Sequence, residues 1–230
     1  TSTEVAFLKA FALEQLGRTE EAINSYISIP DGRNEYYGQR ATQRLLNLAN
    51  NDKSRAFVIN AFNLFATAAK TADVQNQFEQ ARTAAQSALR LTNDQQRRSD
   101  LLDILLHAYD STASYKLQRF QLVPLTSQDT AGNPGGGNGT SNPVQLGEQL
   151  FGLGLYDEAM PEIFKARATV SKAQTSTSAY DYSLAVYSLR GGLPNRAVRF
   201  GEQFWKTVPP DYVLEVAPRE LVELLYPVPF

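Results

Sequence analysis

Between Gly38 and Pro124 the sequence contains neither glycine nor proline, a stretch running from residue 39 to residue 123. A chain of that length without a strong helix breaker has few choices, because the two residues that most readily end a helix are missing. Apolar residues recur in it at steps of three and four. Phe57, Ala61, Phe65, Ala68 and Ala72 form one set; Val74, Phe78, Ala81, Ala85 and Leu89 a second; Leu101, Leu102, Leu105, Leu106 and Tyr109 a third. Each set predicts an apolar stripe along one helix. Breaks between the helices are expected at residues whose side chains can accept from unpaired backbone N–H groups: Asn51-Asp52, Asp73 and Thr92-Asn93-Asp94. Helices joined so tightly should lie antiparallel. No alternating run of β-branched and aromatic residues bounded by turns occurs, so the expected class is all-α.

Composition narrows the partners. Lys and Arg number 22 against 24 Asp and Glu, for a net charge of −2, and like charges do not run together. That is not the footprint of a protein that neutralises phosphate backbones, so no nucleic-acid partner is expected. No apolar stretch approaches the roughly 20 residues needed to span a bilayer, and no membrane span is expected. The absence of cysteine removes disulfides, thiol nucleophiles and cysteine-ligated zinc. The chain opens on Thr1 and its one methionine is Met160, which suggests a piece of a longer protein.

Three segments share a register. Gly17, Gly154 and Gly192 each have an alanine five positions later (Ala22, Ala159, Ala197) and a small residue seven positions earlier (Ala10, Gly147, Ala185). Glycine accepts the backbone angles of a tight turn, and small residues on both sides let two helices approach closely. The second copy fits the tetratricopeptide pattern best, with Leu146-Gly147, Leu150, Gly154, Tyr156, Asp157-Glu158-Ala159 and Ala166 in order. In the third, Gly201 falls where the pattern places a bulky aromatic, and Phe200 and Phe204 are expected to fill the gap. The expected architecture is a superhelical array of antiparallel, tetratricopeptide-like hairpins. Residues 126–143 carry five glycines and three asparagines and read as a flexible loop. They separate an N-terminal helical-hairpin region, 1–125, from a C-terminal helical region, 144–230. Asn138-Gly139-Thr140 in that loop matches a glycosylation acceptor, a pattern that arises easily in such composition.

Chemistry is hard to find. None of the thirteen glutamates is followed by serine, and most sit on charged helix faces such as Glu20-Glu21. His107 is the only histidine, so a multi-histidine metal site is ruled out and a packing or surface role is expected. No serine nucleophile has a partner histidine at a recognisable spacing, and the glycine-rich loop lacks the lysine and hydroxyl residue of a phosphate-binding loop. No catalytic residue, metal ligand or cofactor is assigned. Tyr180, Tyr182 and Trp205, with Tyr187 and Tyr212 near them in sequence, are the candidates for stacking on sugar rings, against the plainer alternative of core packing.

Two stretches resemble a known family. Residues Asn34 to Leu45, with Tyr36, Tyr37, Gly38, Ala41, Arg44 and Leu45, follow a hairpin of the Gly-x₄-Ala kind. The chain closes on Leu225-Tyr226-Pro227-Val228-Pro229-Phe230 after the Leu146–Ala166 and Tyr180–Pro209 segments. Both are similar to the helical region that precedes the catalytic domain of soluble lytic murein transglycosylases. The resemblance implies a periplasmic, non-catalytic scaffold whose partners are its own catalytic domain beyond Phe230, the glycan strands of peptidoglycan and other cell-wall proteins. It also implies that the catalytic glutamate, followed by serine, lies past Phe230. In this reading Gly38 permits a close helix approach and the tyrosines pack on the preceding hairpin. A tetratricopeptide-type adaptor that holds a partner protein is the alternative.

Overall fold

The computed structural model describes residues 2–113, 115, 120–122, 143–167 and 178–226. The glycine-rich stretch from 126 to 142, with Asn138-Gly139-Thr140, the Pro227–Phe230 ending and the side chain of Ala166 lie outside the described residues. Among the described residues the regular structure is helical throughout, and no strand occurs. No helix among them is long and apolar enough to cross a membrane.

The chain forms two compact units. Unit 1 comprises residues 1–116 together with 209–216, and unit 2 comprises 117–208 with 217–230. In unit 1 the helices are α1 (Ser2–Gln15), α2 (Thr19–Ile27), α3 (Tyr36–Ala49), α4 (Arg55–Val74), α5 (Phe78–Leu89) and α6 (Gln95–Ser111), with a short 3₁₀ turn at Leu214–Val216. Unit 2 holds α7 (Pro143–Gly152), α8 (Tyr156–Arg167), α9 (Ser178–Arg190), α10 (Pro194–Trp205) and α11 (Arg219–Leu225).

Four hairpins, α1/α2, α4/α5, α7/α8 and α9/α10, close with one and the same turn. Gly17, Asn76, Gly154 and Gly192 have φ of +72°, +57°, +76° and +66°. At each, the residue's own N–H donates to the carbonyl three back: Glu14, Asp73, Phe151 and Leu189, at 2.9–3.1 Å. The next N–H donates to the carbonyl five back, on Leu13, Ala72, Leu150 and Ser188, at 2.8–3.0 Å. This double bond pair satisfies the carbonyls that a helix end leaves open, and it requires a residue in the left-handed region. Asparagine is the commonest substitute for glycine there. The α4/α5 hairpin is therefore a fourth copy of the register, with Ala69 and Ala81 as its small pair and an asparagine where the others have glycine. Ala10, Ala22, Ala69, Ala81, Ala159 and Ala185 are all fully buried, Ala197 nearly so, and Gly147 is buried with them.

The α4 stripe is turned by one residue from the expected one. Val58, Phe62, Ala69 and Ala72 face the core, whereas Phe57 is 43% exposed and Ala68 is exposed. α4 is apolar nearly all round, so periodicity alone could not say which side goes in. The second stripe holds from Phe78 onward; Val74 ends α4 and is exposed, because the chain turns at Gln75–Gln77. Asp73 is no cap: it lies in the last turn of α4 and meets His107 Nδ1 at 2.7 Å through Oδ1, while Asn76 makes the turn. Asp94 caps α6 as expected, accepting from Arg97 N at 2.9 Å. Asn51 organises the α3–α4 turn by accepting from Lys53 N, and Ser54, not Asp52, is the residue before α4.

In unit 2 a Cβ on Gly201 would meet Leu224 Cβ at 3.5 Å, so α11 sits where an aromatic side chain would project. Phe204 and Phe200 are buried on the same helix.

Candidate functional site

Among the described residues of unit 1, polar side chains gather around α5. One side of it carries Arg82 and Gln86 at i and i+4, and Arg90, the residue that ends the helix, continues the row at i+8. Arg90 is almost fully buried. Its Nη1 donates to Ile27 O and Ile29 O, both at 2.9 Å, and its Nη2 to Tyr26 O at 3.1 Å. Nε donates to Thr42 Oγ1 at 2.7 Å and lies 3.3 Å from Asp31 Oδ2. A single guanidinium thus satisfies the open carbonyls at the end of α2 with positive charge at the negative end of its dipole. Burial lowers its pKa from the ordinary arginine value, and Asp31 acts in the opposite direction.

Gly38 explains why α3 can start beside that turn. A Cβ there would lie 1.9 Å from Pro30 O and 2.8 Å from Asp31 Cα. The close approach is thus between α3 and the 30–31 turn, not between two helices. Tyr37 packs 5.7 Å from Phe7 of α1, as the sequence suggests, but Tyr36 is 62% exposed, edging onto Tyr37 with the Arg40 guanidinium 6.0 Å from its ring centre. Arg44 pairs with Glu14, which also accepts from Tyr26 OH at 2.7 Å, tying α1, α2 and α3 together. Burial first, and the Glu14 carboxylate second, push the Tyr26 hydroxyl well above the usual phenol range.

Along the other end of α5 lies the segment Pro209–Val216, here called the strap. Arg82 and Tyr115 OH both donate to the Asp211 carboxylate, the latter at 2.7 Å. Gln86 Nε2 donates to the Asp211 carbonyl at 2.7 Å, and Val213 N donates to Tyr109 OH at 3.2 Å. Arg33 N donates to Pro210 O at 2.8 Å, and Arg98 Nη2 to Glu215 Oε1 at 2.5 Å. The Tyr109 ring is stacked between Tyr115 at 4.8 Å and Tyr212 at 4.5 Å, both inclined by 20°. Arg82 lies 4.9 Å from the centre of the Tyr115 ring. Burial pushes the Tyr109 hydroxyl up to about 12, and raises Tyr115 and Tyr212 as well. For Arg82, burial works to lower the pKa but the Glu79 and Asp211 carboxylates outweigh it, leaving it raised.

Between the strap, the 27–32 turn and α5 a cavity of about 780 Å³ remains open. Ile29, Pro30, Leu46, Leu89 and Val213 supply its apolar wall, and Arg82, Gln86 and Arg98 its polar rim. A void of that size with a few converging polar groups has the character of a ligand site.

The residues singled out for sugar stacking do not gather there. Tyr180 and Tyr182 lie on α9 in unit 2, 5% and 3% exposed. The Tyr182 ring is enclosed by Phe204 at 5.1 Å and Phe120 at 5.9 Å, and burial raises its hydroxyl to about 12. Trp205, at the end of α10, is half-buried and keeps some solvent-facing surface. Tyr187 meets Phe151 at 4.5 Å. Tyr212 belongs to unit 1 with Tyr109. His107 is more than half exposed and packs edge-on to Phe78 at 5.2 Å. Among the described residues no three of His, Asp and Glu come together as a metal-binding group. The chain matches no known protein family, no curated protein and no solved structure.

Proposed function

We propose that this chain is a repeat-built helical scaffold, the non-catalytic part of a peptidoglycan-cleaving lytic transglycosylase that positions its catalytic domain and the glycan strand in the periplasm. The observation that supports a scaffold is the fourfold recurrence of one hairpin closure at Gly17, Asn76, Gly154 and Gly192. A unit that repeats its turn chemistry and its pair of small residues is built to be stacked against its like, as in superhelical arrays. The transglycosylase reading rests on the Tyr36–Leu45 segment and the Leu225–Phe230 ending, and Gly38, Arg44 and Leu45 in the first of these have specific packing roles.

Two measurements test it. Incubated with purified cell walls, the chain should co-sediment with peptidoglycan and release no soluble muropeptides; release would sink the non-catalytic role. The coding sequence after Phe230 should show glutamate followed by serine within about one small domain, on the order of 100 residues. A stop codon there would remove the enzyme reading and leave a scaffold of another kind.

One observation favours a second reading, a protein-binding adaptor. In unit 1 the side chains of Gln86 and Tyr109 bond the backbone of an irregular segment, the manner in which a helical surface holds a peptide.

A further inference from the structure

The strap is held in unit 1 by the kinds of contact that recognise a peptide. Two carboxylates four residues apart, Asp211 and Glu215, meet Arg82 and Arg98. One backbone carbonyl is taken by Gln86 and one N–H by Tyr109. One aromatic ring, Tyr212, lies flat on Tyr109. Most of these bonds are made by side chains of α5 and α6, so they depend on the chemistry of the segment and not on its belonging to the same chain. The strap also underfills its groove, since the cavity of about 780 Å³ beside it is lined partly by the strap's own Pro210 and Val213.

We propose that the α5–α6 face of unit 1 is a docking site for an acidic peptide segment of a partner protein, of the pattern Asp-aromatic-x-x-Glu, and that residues 209–216 are its occupant in cis. The argument for this partner is charge complementarity: Arg82 and Arg98 read two carboxylates, and the tyrosine shelf reads the ring between them. A partner segment that displaces the strap can also place an apolar side chain against Ile27, Pro30 and Leu46, which line the cavity and keep part of their surface open. Because the strap competes, the partner's apparent affinity is reduced by the fraction of time the strap is bound. The site stands whether or not the chain belongs to a cell-wall enzyme.

The test uses the full chain and a fluorescent peptide of the strap's own sequence, Pro-Pro-Asp-Tyr-Val-Leu-Glu-Val. Titration by anisotropy is done on the wild type and on Asp211→Asn/Tyr212→Ala, whose strap is loosened. The peptide should bind the loosened variant about tenfold or more tightly than the wild type, with an affinity that falls as salt rises. Adding Arg82→Met and Arg98→Met should abolish that gain. If the double variant loses its helical circular dichroism, Glu215→Gln replaces it: that carboxylate is half exposed, and about a threefold gain is expected. No saturable binding to the loosened variant overturns the proposal. Equal binding of a peptide with Asn and Gln in place of Asp and Glu also overturns it. Dimers in light scattering whose formation tracks strap release would assign the groove to a second copy of this chain instead.

Discussion

Arg90 offers the sharpest test of how unit 1 holds together. Arg90→Met keeps much of the stem and removes the fork. It leaves Ile27 O and Ile29 O without the donor they have at 2.9 Å, takes one donor from Tyr26 O, which keeps Ile29 N at 3.2 Å, and strands Asp31 beside Thr42. Each buried group left unsatisfied costs about 1–3 kcal/mol, and removing one partner of a buried ion pair about 3–5 kcal/mol. These do not add in full, because the adjoining cavity lets water reach part of the turn, and Asp31 keeps its bond from Thr42. The expected loss is about 3–5 kcal/mol, a large part of the roughly 5–15 kcal/mol that holds an ordinary domain. Urea unfolding followed by far-ultraviolet circular dichroism should show a midpoint lower by about 2 M for a slope near 2 kcal/mol/M. Hydrogen exchange should quicken at the end of α2 first. The control is Arg18→Met, which also removes an Arg–Glu pair, with Glu21, but one that is more than half exposed; it should leave the urea midpoint nearly unchanged. If Arg90→Met cost no more than Arg18→Met, the account of Arg90 as the cap of α2 would be wrong.

Three further outcomes follow from the geometry. Tyr109 has a folded pKa of about 12 against an ordinary 10.0, so its contribution, about 3 kcal/mol, is fully present below pH 10 and is lost as pH rises toward 12. Phenolate absorbance at alkaline pH should rise together with loss of helical signal, and Tyr109→Phe should reduce that loss but not abolish it, because burial also raises Tyr26, Tyr115, Tyr182 and Tyr212. Gly38→Ala drives a Cβ into the Pro30 carbonyl and should cost about 3 kcal/mol or more by urea unfolding, whereas Gly17→Ala meets no atom within 4 Å and pays only for its positive φ, about 1–2 kcal/mol. At the fourth turn Asn76→Gly should change stability by less than about 0.5 kcal/mol, while Asn76→Val, β-branched at φ +57°, should cost about 2 kcal/mol.

What could be read from the chain was local. The helical class followed from the empty run between Gly38 and Pro124, and three hairpin turns from glycines with alanines at fixed distances. The fourth escapes a pattern that asks for glycine, because the turn needs only a residue that tolerates φ > 0. Asn76 does so, and Ala69 and Ala81 were standing at the right distances. The α4 face was misplaced for another reason. A helix bearing Phe57, Val58, Phe62, Leu64 and Phe65 has apolar residues on most of its circumference, so burial is decided by its neighbours and not by its own period.

The arginine and tyrosine cluster was out of reach for a different cause. Arg82 and Asp211 are separated by 129 residues, Tyr109 and Val213 by 104, and Arg90 and Tyr26 by 64. No spacing rule connects such pairs. Yet each half carried a hint. Three arginines, Arg82 on α5, Arg90 at its end and Arg98 on α6, fall eight residues apart, and the strap offers Asp211 and Glu215 between prolines that forbid a long helix. A chain with nearly balanced charge still has to place its carboxylates and guanidinium groups somewhere. In unit 1 Arg82 and Arg98 meet Asp211 and Glu215 of one irregular segment across more than a hundred residues of chain, so these charges are placed to hold a segment with two carboxylates at that spacing.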